Sequence, residues 1–551
     1  MNDSTNMPKK HPLLKNAVLG SALAVVTAVV ASQFFQPHSI PTIEAAPKQQ
    51  DSFDQTVAAI DAEFEAKWKE EDLAPTPPAD NYTIARRISL SLTGTIPSYQ
   101  EIQAIKDVPD TEFSQRWLTH LMNDRRYADY VAERFTRVYV GTENGPFLQY
   151  RRRRMAEWLG DQFEDNVPYD QLSRSLIQAK GIWTSKPEVN FITVSIDQNN
   201  DKKGPDEVKL AARLTRAFLG VRIDCVQCHD DKFGDRWKQE DFHQLASFFA
   251  NTELVLTGVR DNKELDYEFR YKGTPAETKV PQVVPFQPEL MPTKGAPRER
   301  LAAWVTHPEN KAFARTAVNR TWALMFNQPL ITPIDDIPLQ GPYPPGMEPL
   351  TRDFIENGYD IQRLIRLIVA SRPFQLDSRT HEPNSHITPE HEEHYATFPL
   401  TRLRPEQVAG SVYQSASLTT VDTSSHVISR LTRAGQTGEF LKRYGDMGED
   451  EFGEATGTIP QRLLLMNGKL VHERTKNDMV NNAATRIGAL AISDEVAVEK
   501  AYITILTRKP TSEESSHFTK QLREKEGKDR GNTMQDICWA LINATEFSWN
   551  H

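Results

Sequence analysis

The sequence predicts a mainly α protein of two helical domains, with a small β-hairpin insertion near the domain junction. Apolar residues recur at helical spacing through most of the chain, as in FDQTVAAIDAEFEAKW and DIQRLIRLIVAS. Capping boxes open two helices, Ser98 with Glu101 and Thr511 with Glu514. A length of 551 residues exceeds what one hydrophobic core usually organises.

In chain order, the first domain (53–289) offers the helical segments YTIARRISLSL, SYQEIQAI, TEFSQRWLTHLMND, DYVAERFTRVYV, YRRRRMAEWLGDQFED and DQLSRSLIQAK. Arg151, Arg152, Arg153 and Arg154 would radiate around one helical turn, near Glu157, Asp161 and Glu164, as a solvated, salt-bridged face. In DEVKLAARLTRAFLG, Val208, Ala211, Leu214 and Phe218 share an apolar face, and Gly220 ends the helix. Asp241 is placed to cap a helix carrying Phe242, Leu245, Ala246 and Phe249 as its apolar stripe. LVLTGVRDNKELDYEFRYKG alternates about DNK as a hairpin, and the proline-rich TPAETKVPQVVPFQPELMPTKGAPRER leads to a boundary near residue 290. The second domain (290–551) is again helical, from RERLAAWVTHP and FARTAVNRTWALMF to QDICWALINATEFSW.

Lys9, Lys10 and Lys15 precede the apolar run at residues 17–35, so residues 1–36 read as a signal peptide or an N-terminal membrane anchor, followed by a linker over 37–52. The body is expected to be exported and periplasmic, soluble or held to the inner membrane by that segment alone. A net charge of -10 supplies no basic field to attract nucleic acid, so no nucleic-acid partner is expected. No G-x-S-x-G, H-E-x-x-H or P-loop pattern occurs, and pairs such as Asp335 and Asp336 are too common to indicate chemistry.

Three cysteines exclude a disulfide scaffold. Cys538, among Trp539, Leu541 and Ile542, reads as a core residue. The other two form Cys225-Val-Gln-Cys228-His229, which fits the C-x-x-C-H pattern of covalent haem attachment. With 3 Cys and 14 His in the chain, chance yields such a match roughly 4 times in 10,000. The spacing suits two thioethers to the vinyl groups on one porphyrin edge, with the adjacent imidazole as proximal iron ligand. Attachment of this kind occurs outside the cytoplasm, in agreement with export.

Other readings stay open. Zinc would want four ligands, of which His243 offers a third and nothing an evident fourth. A C-x-x-C disulfide or dithiol would leave His229 an ordinary polar residue. Asp224, Asp230, Asp231 and Asp235 lack the spacing of a calcium loop and read as a solvated turn. A distal haem ligand is not identified by spacing: His243 flanks an apolar stripe as a packed or surface residue, and Met325 and Met466 are candidates in principle. His381, His386, His391 and His394 lie in a proline-punctuated acidic stretch and read as a polar loop rather than a metal site.

Six phrases in order, ARRISLSLTGTIPS, FLGVRIDCVQCHDDKFGDRWKQEDFHQLASFFANTE, FARTAVNRTWALMFNQPLITPIDDI, NGYDIQRLIRLIVASRPFQLDSR, LLLMNGKLV and LINATEFSWNH, resemble the planctomycete-type cytochrome C-like two-domain family. The resemblance runs from about residue 55 to the end. It implies a cytochrome-like domain followed by a second uncharacterised domain, and by position it assigns haem c to Cys225 and Cys228 with His229 as proximal ligand to the iron. It also implies an exported protein similar to ones commonly encoded beside a sulfatase-like partner in bacteria that degrade polysaccharides, and a redox partner if haem is present. Two departures stand out: the family reads C-H-D-H or C-H-N-H where Asp231 stands here, and Gly234 is inserted before Asp235-Arg236-Trp237. The resulting expectation is an electron-transfer or redox protein. The alternative is a non-haem envelope structural or interaction protein associated with polysaccharide degradation, whose C-x-x-C is a disulfide or dithiol.

Overall fold

Helix follows helix because short polar caps alternate with apolar stripes. The computed structural model describes residues 43–47, 51–142, 150–196, 204–231, 236–271, 274–380, 386–421, 440, 443–445, 458–479 and 481–551. The N-terminal segment 1–36, most of the 37–52 linker, Gly234, Asp235 and His381 lie outside the described residues.

The first series comprises α1 (Asp51–Glu70), α2 (Asn81–Thr93), α3 (Tyr99–Ile105), α4 (Asp110–Met122), α5 (Arg125–Val140), α6 (Arg152–Glu164), α7 (Tyr169–Ile177), α8 (Glu207–Leu214) and α9 (Gln239–Ala246). Then come two antiparallel hairpins, β1 (Thr252–Val255) with β2 (Gly258–Asp261), and β3 (Glu268–Phe269) with β4 (Thr278–Lys279). The second series runs α10 (Pro297–Val305), α11 (Lys311–Phe326), α12 (Met347–Glu356), α13 (Ile361–Ala370), α14 (Pro405–Ser415), α15 (Ile459–Asn467), α16 (Lys469–Thr475), α17 (Ala483–Leu490), α18 (Asp494–Leu506), α19 (Ser512–Leu522) and α20 (Gly527–Ile542). The protein is mainly α with small hairpins, as the sequence predicts.

Local signals are realised at several starts. Ser98 Oγ accepts from Glu101 N at 3.1 Å and Ser98 N donates to Glu101 Oε2 at 2.8 Å, and Thr511 with Glu514 repeats the reciprocal pair. Each satisfies donors that a helix start leaves unpaired. Arg152 and Arg153 pair with Glu133 and Glu157, giving the salt-bridged face the sequence predicts around α6.

Two expectations need correction. The first hairpin turns at Leu256-Thr257 rather than at DNK, because Gly258, at φ 105°, supplies the positive dihedral and packs against Gly181, where a Cβ would lie 2.0 Å from the carbonyl oxygen. The α9 helix begins at Gln239, so Asp241 lies in its first turn and its carboxylate reaches back to Lys238 N at 2.8 Å.

The larger hydrophobic core spans residues 53–398 without a break at residue 290 and also takes in Ile503. Nearly every position of α11 is buried, which identifies it as a central helix. Two of its polar residues reach partners outside the helix: Arg315 pairs with Glu348 at 2.8 Å, and Asn319 exchanges hydrogen bonds with the backbone of Ile331, both 3.0 Å. The smaller core joins Leu90 and Ile96 to residues 403–547. Thus α2 feeds both cores. Its Arg86 and Arg87 are fully buried: Arg86 donates to Phe547 O, and Arg87 donates to His551 O, Phe374 O and Leu376 O. Strands Thr401–Arg402 and Trp549–Asn550 pair beside them.

No helix among the described residues is long and apolar enough to cross a membrane.

Candidate functional site at the C-x-x-C-H turn

The approach to the motif is made rigid by aromatic packing. After α8, capped by the Asp206 carboxylate on Lys209 N at 3.0 Å, the helix widens into a π turn at Thr215–Leu219. There Phe218 stacks on Tyr139 of α5 with centroids 5.2 Å apart, and Phe135, one turn earlier, meets Phe163 of α6 at 5.0 Å. Gly220, at φ 58°, then reverses the chain. A Cβ there would sit 2.7 Å from Thr316 Oγ1, so glycine answers both a dihedral and a space requirement.

The motif itself is a single 3-10 turn, Asp224–Gln227. Ile223 and Val226 are fully buried and plug it into the larger core, whereas Cys225 and Cys228 are exposed free thiols. The alternation follows from the turn's geometry: one apolar side chain points inward while its neighbours face out. Cys225 Sγ lies 3.6 Å from Arg222 O. Partial burial raises the Cys225 pKa, and the carboxylates of Asp224, Asp231 and Asp336 push it further up. That environment disfavours a thiolate, the form that zinc ligation or nucleophilic attack requires.

His229 is half-buried, and its Nδ1 lies 2.7 Å from Asp230 O. A carbonyl only accepts, so Nδ1 carries a proton, and the tautomer compatible with this bond has its lone pair on Nε2. This is the tautomer an iron-ligating imidazole needs, with the other nitrogen fixed by a backbone carbonyl. Two outward thiols on one turn and an oriented imidazole next to them fit a covalently held haem.

The structure adds a clamp not legible in the motif. His243 Nε2 lies 3.0 Å from Gln227 O, and Gln239 Nε2 donates to the same carbonyl at 3.1 Å. Gln239 N donates to Asp230 Oδ1 at 2.8 Å, so α9 grips the turn on both sides of Cys228. The spacing of Gln239 and His243, one helical turn apart, was the available signal. His243 is buried, with Nδ1 2.8 Å from Tyr267 Oη and its ring stacked on Phe269 at 3.4 Å; burial holds its pKa below the usual histidine value. Both its nitrogens are occupied, which leaves neither for a metal in this arrangement.

Carboxylates fasten the other flank. Arg216 grips Asp224 at 2.7 Å and 3.1 Å and reaches Asp335 at 3.2 Å, which also receives Arg222 at 2.7 Å. Arg236 lies 3.5 Å from Asp336. Asp335 and Asp336 therefore brace the turn, although they look unremarkable in sequence. Asp231 N donates to Trp237 O at 3.0 Å, closing the backbone loop between the motif and α9. That bond places Asp231 in the loop's base.

The remaining candidates lie elsewhere. Met325 is fully buried in α11 and Met466 is exposed on α15. His391 belongs to a short helix, Pro389–Glu393, where its Nδ1 accepts from Thr388 N at 3.2 Å; His386 and His394 flank it. Among the described residues no group of three or more His, Cys, Asp or Glu side chains could hold a metal ion. Cys538 is a core residue, its pKa pushed up to about 12 by burial.

Two family models match. One, PSCyt2, a Protein of unknown function (DUF1549), covers residues 59–254, and the other, PSD1, a Protein of unknown function (DUF1553), covers residues 297–434. The chain belongs to the planctomycete-type two-domain family. In this family member the first match contains the whole C-x-x-C-H turn and its α9 clamp, and the second begins at α10. No curated protein and no solved structure matches the chain.

Proposed function

We propose that this protein is an exported c-type cytochrome-like protein that carries haem through Cys225 and Cys228, with His229 as proximal ligand, and serves an electron-transfer or redox step. The observation that carries the reading is the His229 Nδ1 contact to Asp230 O beside two outward thiols, which readies Nε2 for iron. When bound, haem supplies one-electron chemistry at iron. The chain's own work is positional. Val226 anchors the turn, Gln239 and His243 hold the Gln227 carbonyl, and Asp230 both fixes the imidazole and receives α9.

The charged and apolar N-terminal segment supports export to the compartment where such attachment takes place, with the membrane engaged only through that segment. A sulfatase-like protein in polysaccharide degradation is the proposed partner, together with a redox partner. Purification of the full chain from a host with active cytochrome c maturation, followed by denaturation, tests the haem assignment. The expected result is a haem spectrum that survives unfolding and a mass increased by one haem. A colourless protein of unmodified mass would overturn it and leave the C-x-x-C as a disulfide or dithiol of an interaction protein.

A further inference from the structure

Cys225 and Asp335 belong to different matched regions, 59–254 and 297–434, yet the Asp335 carboxylate holds the turn around that thiol from two directions. Asp335 Oδ1 receives Arg222 Nε at 2.7 Å and Nη2 at 2.6 Å, and the backbone oxygen of the same Arg222 lies 3.6 Å from Cys225 Sγ. Asp335 Oδ2 receives Arg216 at 3.2 Å, and Arg216 in turn grips the carboxylate of Asp224, the residue before the cysteine, at 2.7 Å. We propose that Asp335 is the positioning residue for Cys225, so that the second region sets the presentation of a thiol carried by the first.

The loop that carries Asp335 is fixed at both ends. Asn319 of α11 exchanges hydrogen bonds with Ile331 at its start, both 3.0 Å. At its end Ile337 N donates to Gly220 O at 2.7 Å, and the buried Ile337 side chain would stand 3.0 Å from a Cβ at position 220. Arg320, also of α11, donates to Arg216 O at 3.0 Å. Asp335 itself is buried, and charge-assisted hydrogen bonds in such surroundings are strong and directional. A carboxylate so placed imposes its position on the two arginines rather than following them. Beyond Cys225 the hold is of another kind. There the Gln227 carbonyl meets Gln239 and His243, and Asp230 Oδ1 receives Gln239 N, all from α9 of the first region. Thus α9 holds the middle and far end of the turn, whereas Asp335 holds the end that carries Cys225. The inference goes beyond the haem reading and does not rest on it, because every contact named is made by the chain's own residues.

Alkylation of the reduced, haem-free full chain by iodoacetamide tests it in two backgrounds: Cys228→Ser reports Cys225, and Cys225→Ser reports Cys228. Asp335→Asn should speed alkylation of Cys225 about threefold or more, since released charge-assisted bonds let that end of the turn open, while Cys228 stays within about 1.5-fold of its parent rate. Arg222→Gln should reproduce the Cys225 effect, and combining it with Asp335→Asn should add little, because both remove the same link. The Arg222 side chain is 40% exposed, so this variant tests the link even if Asp335→Asn fails to fold. Arg222→Lys, whose ammonium can also meet Oδ1, should react more slowly than Arg222→Gln. Equal acceleration of both thiols, an unchanged Cys225 rate, additive effects of the two substitutions, or a lysine no better than glutamine would overturn the proposal.

Discussion

His243 Nε2 lies 3.0 Å from the carbonyl oxygen of Gln227, a hydrogen bond that joins the buried face of α9 to the middle of the C-x-x-C turn. Because that oxygen only accepts, His243 donates from Nε2 and receives the Tyr267 hydroxyl proton at Nδ1. The motif's geometry thus depends on a residue fourteen positions beyond His229.

Replacing His243 by Ala should lower stability by about 2 kcal/mol, since it leaves a buried carbonyl and a buried hydroxyl short of a partner. Urea unfolding measures that loss. Alkylation of Cys225 and Cys228 in the reduced, haem-free variant should also be faster than in the parent. An unchanged rate would separate His243 from control of the turn.

Acid should weaken the fold through the same imidazole. Burial depresses the His243 pKa below the ordinary value of 6.5, so between these two values the unfolded chain binds more protons than the folded one. The His243 contribution is complete above pH 6.5 and is lost as pH falls towards the folded pKa. His551, lowered to about 3 chiefly by burial, acts in the same direction. Urea midpoints from pH 7.5 to 5 should therefore fall with acidification, and less steeply in His243→Gln.

Arg87→Ala should cost roughly 3 kcal/mol, because three backbone carbonyls from distant parts of the chain lose one buried guanidinium. Arg87→Lys should restore little, as an ammonium cannot reproduce the fork. Thermal unfolding of both variants decides this, and recovery of the parent midpoint by lysine would contradict it.

Gly220→Ala should destabilise by more than about 1 kcal/mol, from the left-handed dihedral together with the Thr316 contact. Gly358, also at positive φ but with nothing within 4 Å of an added Cβ, serves as the control. Its alanine variant should lose less, by the dihedral cost alone.

In the reduced, haem-free protein two thiols should react with an aromatic disulfide reagent under native conditions, and the third only after unfolding. Cys225 and Cys228 are exposed, whereas Cys538 is buried with a strongly raised pKa. A count of three native thiols would contradict the burial of Cys538.

Much of the helical order and both capping boxes were legible in the sequence, because period and cap chemistry act within a few residues. Ser98 with Glu101 and Thr511 with Glu514 close hydrogen bonds three positions apart. The C-x-x-C-H pattern and the family were legible for the same reason: they reside in short contiguous strings. The turn of the first hairpin was misplaced because DNK carries familiar turn residues, whereas the close approach of Gly258 to Gly181 is a contact across the fold.

The sequence by itself determined that this is a mainly helical protein with one rare thiol-imidazole turn. Only the tertiary structure decided which polar residues go inside and what they hold. Nothing in the helical period of YTIARRISLSL marks Arg86 and Arg87 as interior residues, yet they are buried, and backbone carbonyls from Phe374 to His551 converge on them. Asp335 read as one carboxylate among many, yet it gathers Arg216 and Arg222 beside the motif. Such roles depend on partners more than a hundred positions away in sequence, and neither local propensity nor periodicity carries information about them.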